Sequence, residues 1–237
     1  MVIEKLMEKK ILGIIPARGG SKRIFKKNVR LLCGKPLIGW SIEGAKKSKY
    51  IDKIVVSTED DEIKEISTYY GAMVITRPNA LATDESATFQ AVLHVLESLK
   101  ATGYVPEYVI LLQCTSPMRT VNHIDEALEK FYKNEGMADG LISVTEQEIP
   151  PWKFRNIDQN GFLVELTQYD EATTNRVKNF QTIYRHNGAI YINKVNKLLE
   201  TGGFETSKTI SYIMDHYCSI DIDTDLDFRF AECLLST

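Results

Sequence analysis

The sequence predicts an α/β fold in which a mostly parallel sheet is wound with helices on both faces. Three observations predict it: short apolar runs with β-branched content recur along the chain, helical patterns alternate with them, and a glycine-containing basic stretch leaves the first run. In open parallel sheets ligands bind beyond the carboxyl ends of the strands, where that stretch falls.

The strand candidates are "ILGII", "KIVVST", "AMVIT", "YVILLQ" and "LISVT", each of the length and content of a buried strand. Between them, "PLIGWSIEGAKKS" opens with Pro36 at a first helical position. "EDDEIKEISTYYG" has acids in its first turn and Gly71 at its end. "DESATFQAVLHVLESLKATG" runs apolar at helical spacing to Gly103, with Thr83 or Asp84 as its N-cap, and "TVNHIDEALEKFYKNEG" makes a fourth helix. Alternation of this kind implies right-handed βαβ units.

The rhythm breaks after Thr145. "EQEIPPWKFRNIDQNGFLVELTQYDEATTNRVKNFQTIYRH" carries a proline pair and two short strands around a turn, and reads as a hairpin arm leaving the sheet. The expected division is therefore 1–145 with 187–237 as the α/β domain and 146–186 as an inserted arm. "NGAIYIN" resumes the sheet, "KVNKLLETGG" is a short helix, "CSIDID" a strand and "DLDFRFAECLL" a closing helix.

Length and composition bound the function. The 237 residues suffice for one such domain with an insertion; 43% hydrophobic, 26% charged and a net charge of -3 describe an ordinary globular protein without the basicity of a nucleic-acid binder. Cys33, Cys114, Cys218 and Cys233 lie far apart with no metal spacing, as expected of reduced cytoplasmic thiols. The N-terminus lacks a signal-peptide pattern, and no run approaches the ~20 apolar residues of a membrane span.

The basic stretch is "IIPARGGSKRIFKKN", Ile14 to Asn28. Gly19 and Gly20 let backbone N–H groups turn toward phosphate oxygens, and Arg18 and Lys22 add charge. It is neither of the familiar phosphate-loop patterns, and a solvated basic turn is its alternative reading. In "SIDIDTDLD", Asp221 and Asp223 would share one strand face opposite Ile220 and Ile222. Two carboxylates there suit a hard cation such as Mg²⁺, whose remaining positions phosphate and water fill. The same stretch imitates a calcium loop, but Leu226 stands where its turn demands glycine. Thr224 or Asp225 reads as an N-cap with Asp227 near the helix dipole. In "LLQCTSPMRT", Gln113, Thr115, Ser116 and Arg119 are expected on the cleft rim, and Arg77 follows another strand. Serine chemistry lacks a G-x-S-x-G or a histidine beside a nucleophile.

Taken in order, "IIPARGGSKRIFKKN", "STEDDEI", "RPNALATDES", "LLQCTSPMRT", "NGAIYI" and "SIDIDTDLDF" closely resemble the acylneuraminate cytidylyltransferases over nearly the whole chain. The resemblance implies a Rossmann-like nucleotidyltransferase fold, a homodimer, CTP and a nine-carbon 2-keto sugar acid as substrates, and Mg²⁺ as cofactor. It implies Arg18 and Lys22 at the triphosphate. Ala17, Gly19, Ser21, Asn28, Arg77 and Thr88 would surround the nucleotide. Gln113, Asn187, Tyr191 and Phe204 would meet the sugar acid, and Asp221 with Asp223 the metal. Lys153 and Arg176 on the arm would enter a partner's site. Cys114 stands where the family usually has proline, and Gln181 likewise. The expected reaction is in-line attack of the sugar's C2 hydroxyl on the α-phosphorus of CTP. "NGAIYI" favours the sialate-like branch over pseudaminate and leaves N-acetylneuraminate and legionaminate as alternatives. A CMP-KDO type synthetase and a non-catalytic nucleotide-binding module are the readings it must beat.

Overall fold

In the computed structural model of the chain, residues 2–83, 86–166 and 182–236 are described. The central sheet contains β1 (Ile11–Pro16), β2 (Lys53–Thr58), β3 (Met73–Thr76), β4 (Tyr108–Leu111), β5 (Gly140–Glu146), β6 (Tyr184–Lys194) and β7 (Thr209–Ile213). Their order is β7-β5-β6-β4-β1-β2-β3. All neighbours run parallel except β6, which is antiparallel to both β4 and β5. The helices are α1 (Val2–Met7), α2 (Leu37–Lys47), α3 (Asp61–Tyr69), α4 (Thr88–Lys100), α5 (Val121–Lys133), α6 (Val195–Thr201) and α7 (Asp225–Leu235).

Period-two alternation within buried strands divides the core. Ile11 and Ile15 of β1 face Ile42 of α2 and Phe131 of α5, whereas Leu12 and Ile14 face Val95 and Leu99 of α4 and Leu198 of α6. A third, smaller core gathers Ile24, Leu32, Leu37, Ile222, Phe228 and Ala231. It joins the segment after β1 to the last helix.

The doubly wound, mostly parallel fold is as expected, with four local corrections. "CSIDID" is not a strand: Tyr217–Ser219 form a 3₁₀ turn and residues 220–223 run extended outside the sheet. The edge strand is instead "TISYI", whose five residues among charged neighbours gave no clear signal. Helix α4 begins at Thr88 behind Ala87, not at Thr83 or Asp84. Pro36 precedes α2 rather than opening it, because its ψ of 138° is extended.

The ladder between β5 and β6 continues to Glu146 opposite Tyr184, so the sheet reaches three residues past 187 toward the arm. Within the arm, Arg155–Ile157 pairs with Leu163–Glu165 in a separate hairpin whose turn is tied by Asp158 Oδ1, which accepts from Asn160 N and Phe162 N. Ile157, Phe162 and Leu163 are exposed there. Arg176 lies outside the described residues.

Capping places α5 and α7. Thr224 accepts from Asp227 N, and the Asp227 carboxylate accepts from Thr224 N, making a reciprocal box at the start of α7. At α5, Thr120 Oγ1 accepts from His123 N while His123 Nδ1 accepts from Thr120 N. That second bond requires a neutral imidazole. Burial lowers the His123 pKa; Asp215 and Glu126 oppose the shift and Arg119 adds to it. A base whose folded pKa lies below its unfolded value lends stability above the unfolded value and loses it as pH falls through the folded one. His123→Gln keeps an acceptor that does not titrate. Melting curves from about pH 7.5 to about pH 5 should fall more steeply for the parent than for the variant, by up to ~1 kcal/mol; parallel curves would refute this role.

Candidate active site

The chain leaves β1 through Ala17, which is buried and donates its N–H to Ser57 O at 3.0 Å. Gly19 N then donates to Glu59 Oε1 at 2.6 Å. A Cβ at Gly19 would lie 2.8 Å from the Asp60 Cβ, so any other residue there would push the loop away from the start of α3. Arg18 donates to Thr83 O at 2.8 Å, and Asn28 Nδ2 donates to Arg18 O at 2.9 Å, pinning both ends of the loop. Ile24 points into the third core.

The acidic segment meets this loop. Lys27 Nζ donates to Ile222 O at 2.8 Å and to Asp223 Oδ1 at 3.3 Å, and Arg23 reaches Asp223 Oδ2 at 2.9 Å. Ile222 N donates to Thr115 O at 2.8 Å, which hangs the segment on the end of β4. Asp221 is held inward. Burial raises its pKa, the Thr115 hydroxyl pulls it back, and Asp223 adds to the rise; its Oδ1 has no hydrogen-bond partner among the described residues.

A bulge in β6 completes the floor. Between His186 and Tyr191 the register with β5 shifts, and side chains replace the missing ladder bonds. Ser143 Oγ donates to Asn187 Oδ1 at 2.6 Å and accepts from Ile190 N at 2.8 Å, while Asn187 Nδ2 donates to Ser219 Oγ at 2.9 Å. Gly188 turns at φ 75°; a Cβ there would stand 2.9 Å from Gln113 Oε1 and 3.6 Å from Asp221 Oδ2.

Two cavities result. One, about 330 Å³, is lined by Arg18, Ser21, Asn28, Arg77, Thr88 and Gln113 among others. A second, about 470 Å³, is lined by Arg18, Ser21, Lys22, Arg23, Lys27 and Asp223. They share Arg18, Ser21 and Lys27. The first sets Arg18, Lys27 and Arg77 among mostly neutral residues, a lining suited to a nucleoside and its nearest phosphate, whereas the second is almost wholly charged and suited to a polyphosphate.

Thus the fold brings together Arg18, Ser21, Lys22, Asn28, Arg77, Thr88, Gln113 and Asp223, with Asp221 beside Gln113 across Gly188. Tyr191 and Phe204 pack together, ring centroids 5.7 Å apart, with Phe89 beside Phe204. Asn187 is a correction: its side chain is buried and committed to Ser143 and Ser219, so it supports the Gly188 turn instead of meeting a ligand. Ser116 and Arg119 are also buried, away from the rim. Arg119 donates to Gln113 O, Ala189 O and Ser41 Oγ, and burial pushes its pKa down to about 10. Lys153 is exposed on the 3₁₀ turn Pro151–Lys153. Lys27, Arg23 and Glu59 join the site as well; the "KKN" and "STED" strings hint at Lys27 and Glu59, and Arg23 is marked only by its place in the basic stretch.

Comparison with known proteins identifies the family. The cytidylyltransferase family profile matches residues 12–232. The N-acylneuraminate cytidylyltransferase of Escherichia coli O18:K1:H7 is 37% identical over 95% of this chain, which spans 52% of that relative's length. The CMP-N,N'-diacetyllegionaminic acid synthase of Legionella pneumophila is 38% identical over 95% of this chain and 96% of its own. A pseudaminic acid cytidylyltransferase of Campylobacter jejuni is 34% identical, with 95% and 96% covered. Among solved structures, a CMP:2-keto-3-deoxy-manno-octonic acid synthetase complexed with CTP superposes with a TM-score of 0.70 at 15% identity, covering 96% of this chain and 98% of that one. That likeness is one of fold. With the profile running from the first strand into the last helix and a relative similar along nearly its whole length, the chain belongs to the cytidylyltransferase family.

Proposed function

We propose that the chain transfers CMP from CTP to the anomeric C2 hydroxyl of a nine-carbon 2-keto sugar acid, releasing pyrophosphate. The observation that carries this reading is that Lys22 and Asp223 line one cavity, beside a second that shares its cationic wall. The hydroxyl oxygen bonds to the α-phosphorus, the bond to the β-phosphate oxygen breaks, and the hydroxyl proton leaves to a base.

Charge builds on the departing pyrophosphate. Arg18, Lys22 and Lys27 face that charge without moving, which is how positioned cations lower a phosphoryl-transfer barrier. Asn28, Arg77 and Thr88 enclose the nucleoside end, and Gln113 addresses the sugar acid.

The acidic pair fits Mg²⁺. Among the described residues Asp221 Oδ1 is enclosed with no hydrogen-bond partner, and Asp223, whose carboxylate also meets Lys27 and Arg23, is close enough to raise the Asp221 pKa; the two offer hard oxygen donors of the number this ion takes from protein. Asp221 and Asp223 would hold it, and it would supply charge neutralisation to the phosphates.

The acceptor is drawn from the relatives. Sialate, legionaminate and pseudaminate enzymes stand at 37%, 38% and 34% identity, which does not separate the sugars. The aromatic wall of Tyr191 and Phe204 suits any acceptor with an acylamino methyl. A homodimer is part of the reading: Ile157, Phe162 and Leu163 offer an apolar hairpin to a second copy, with Lys153 and Arg176 then serving the partner's cavity. A cytoplasmic setting suits the four free thiols.

Pyrophosphate release, scored for the four NTPs against nine- and eight-carbon 2-keto sugar acids, should select CTP and a nine-carbon acid. Lys22→Ala should then lower kcat on the order of 100-fold, or ~3 kcal/mol. Turnover within a few-fold of the parent would remove Lys22 from the mechanism. Sedimentation equilibrium should report a dimer that Leu163→Asp weakens; a monomer at every concentration would refute the second copy.

A further inference from the structure

The "STEDDEI" stretch carries four acids at and beyond the carboxyl end of β2; Glu62 pairs with Lys26 at the surface, and two others have local work. Asp60 caps α3 by accepting from Ile63 N, and Asp61 pairs with Lys64. Glu59 reaches elsewhere. Its Oε1 accepts the Gly19 N–H at 2.6 Å and its Oε2 stands 3.1 Å from Arg77 Nε. The carboxylate side chain is 15% exposed and the guanidinium 6%.

A carboxylate so close to a nucleotide site would ordinarily repel its ligand. Here the charge is already spent. Arg77 neutralises it, and Arg77 in turn needs it, since burial depresses the guanidinium pKa and Glu59 opposes that. Gly19 lies between Arg18 and Gly20, both of which line the cavity, and Arg77 lines the same cavity from the end of β3. One side chain therefore spans the two walls between which a nucleotide would sit.

We propose that Glu59 is a positioning residue for nucleotide binding, a carboxylate bridge that fixes the basic loop and Arg77 relative to each other before CTP arrives. The inference rests on the proposed function and deepens it. Donors fixed in advance spare the ligand the entropy of ordering them, so the benefit falls on the nucleotide and not on the sugar acid.

Glu59→Gln keeps an acceptor for Gly19 but removes the charge that holds Arg77. In steady-state kinetics the CTP KM should rise about tenfold or more while the sugar-acid KM stays within about twofold, the size expected for one lost charge-assisted contact. Amide exchange over residues 17–21 should quicken, with the β4 amides unchanged. A merely structural role would instead raise both KM values together, and that result, or an unchanged CTP KM, overturns the proposal. Glu59→Asp guards against misfolding: one methylene shorter, it reaches only one of its two partners and should give an intermediate CTP KM, whereas a parental value contradicts the bridge. If the parent releases no pyrophosphate with any sugar acid, the proposed function and this inference fall together. If the parent is active and Glu59→Gln matches it in CTP KM, this inference alone falls.

Discussion

Everything at the site depends on the burial of Ile24 and Ile222 in one small core with Leu32, Leu37 and Phe228. Lys27 and Ile222, 195 positions apart, are hydrogen-bonded beside it. Magnitudes decide what holds this joint. Each buried isoleucine contributes about 1.5–3 kcal/mol, whereas an exposed ion pair contributes roughly 0–1 kcal/mol. Arg23 is 68% exposed, so its pairing with Asp223 is not the fastener. The apolar core and the sheltered Lys27 contact with Ile222 O align the cationic loop and the acidic pair. The charges are then left to act on a ligand.

The same joint explains an evident cost. Asp221 is half-buried, raised in pKa by that burial, and its enclosed Oδ1 has no hydrogen-bond partner among the described residues. Such a carboxylate destabilises an empty protein and is retained where binding repays it. The bulge in β6 has a similar logic. Asn187 and Ser143 replace ladder bonds with side-chain bonds so that Gly188 can pass beneath Gln113 and Asp221. Arg119 fastens the same floor from behind, through Gln113 O and Ala189 O.

Much of this was legible in the chain itself. Continuous apolar runs and helical spacing locate five strands and the helices between them, because burial on both sheet faces imposes exactly those periods on composition. The basic loop and the acidic pair stand out because charge clusters are rare beside buried strands. Other features left no such mark. "TISYI" is short and sits among charges at a sheet edge, so neither period is clear. Ile24 and Ile222 hide as single apolar residues inside charged stretches, and their meeting is a tertiary fact. Asn187 looked like a ligand contact because a polar residue beside a glycine serves equally well as a bulge brace. Glu59 was invisible as a bridge, since its partners Gly19 and Arg77 lie on other elements.

The central proposal is that the half-buried Asp221 serves a metal–nucleotide complex and not the fold. Thermal melting of the parent and of Asp221→Asn, each alone and with Mg²⁺ plus CTP, tests it most directly. The account predicts that the variant melts higher than the parent when empty, and that Mg²⁺ with CTP raises the parent but hardly moves the variant. A variant that melts lower when empty, yet gains as much from Mg²⁺ and CTP as the parent, would contradict it.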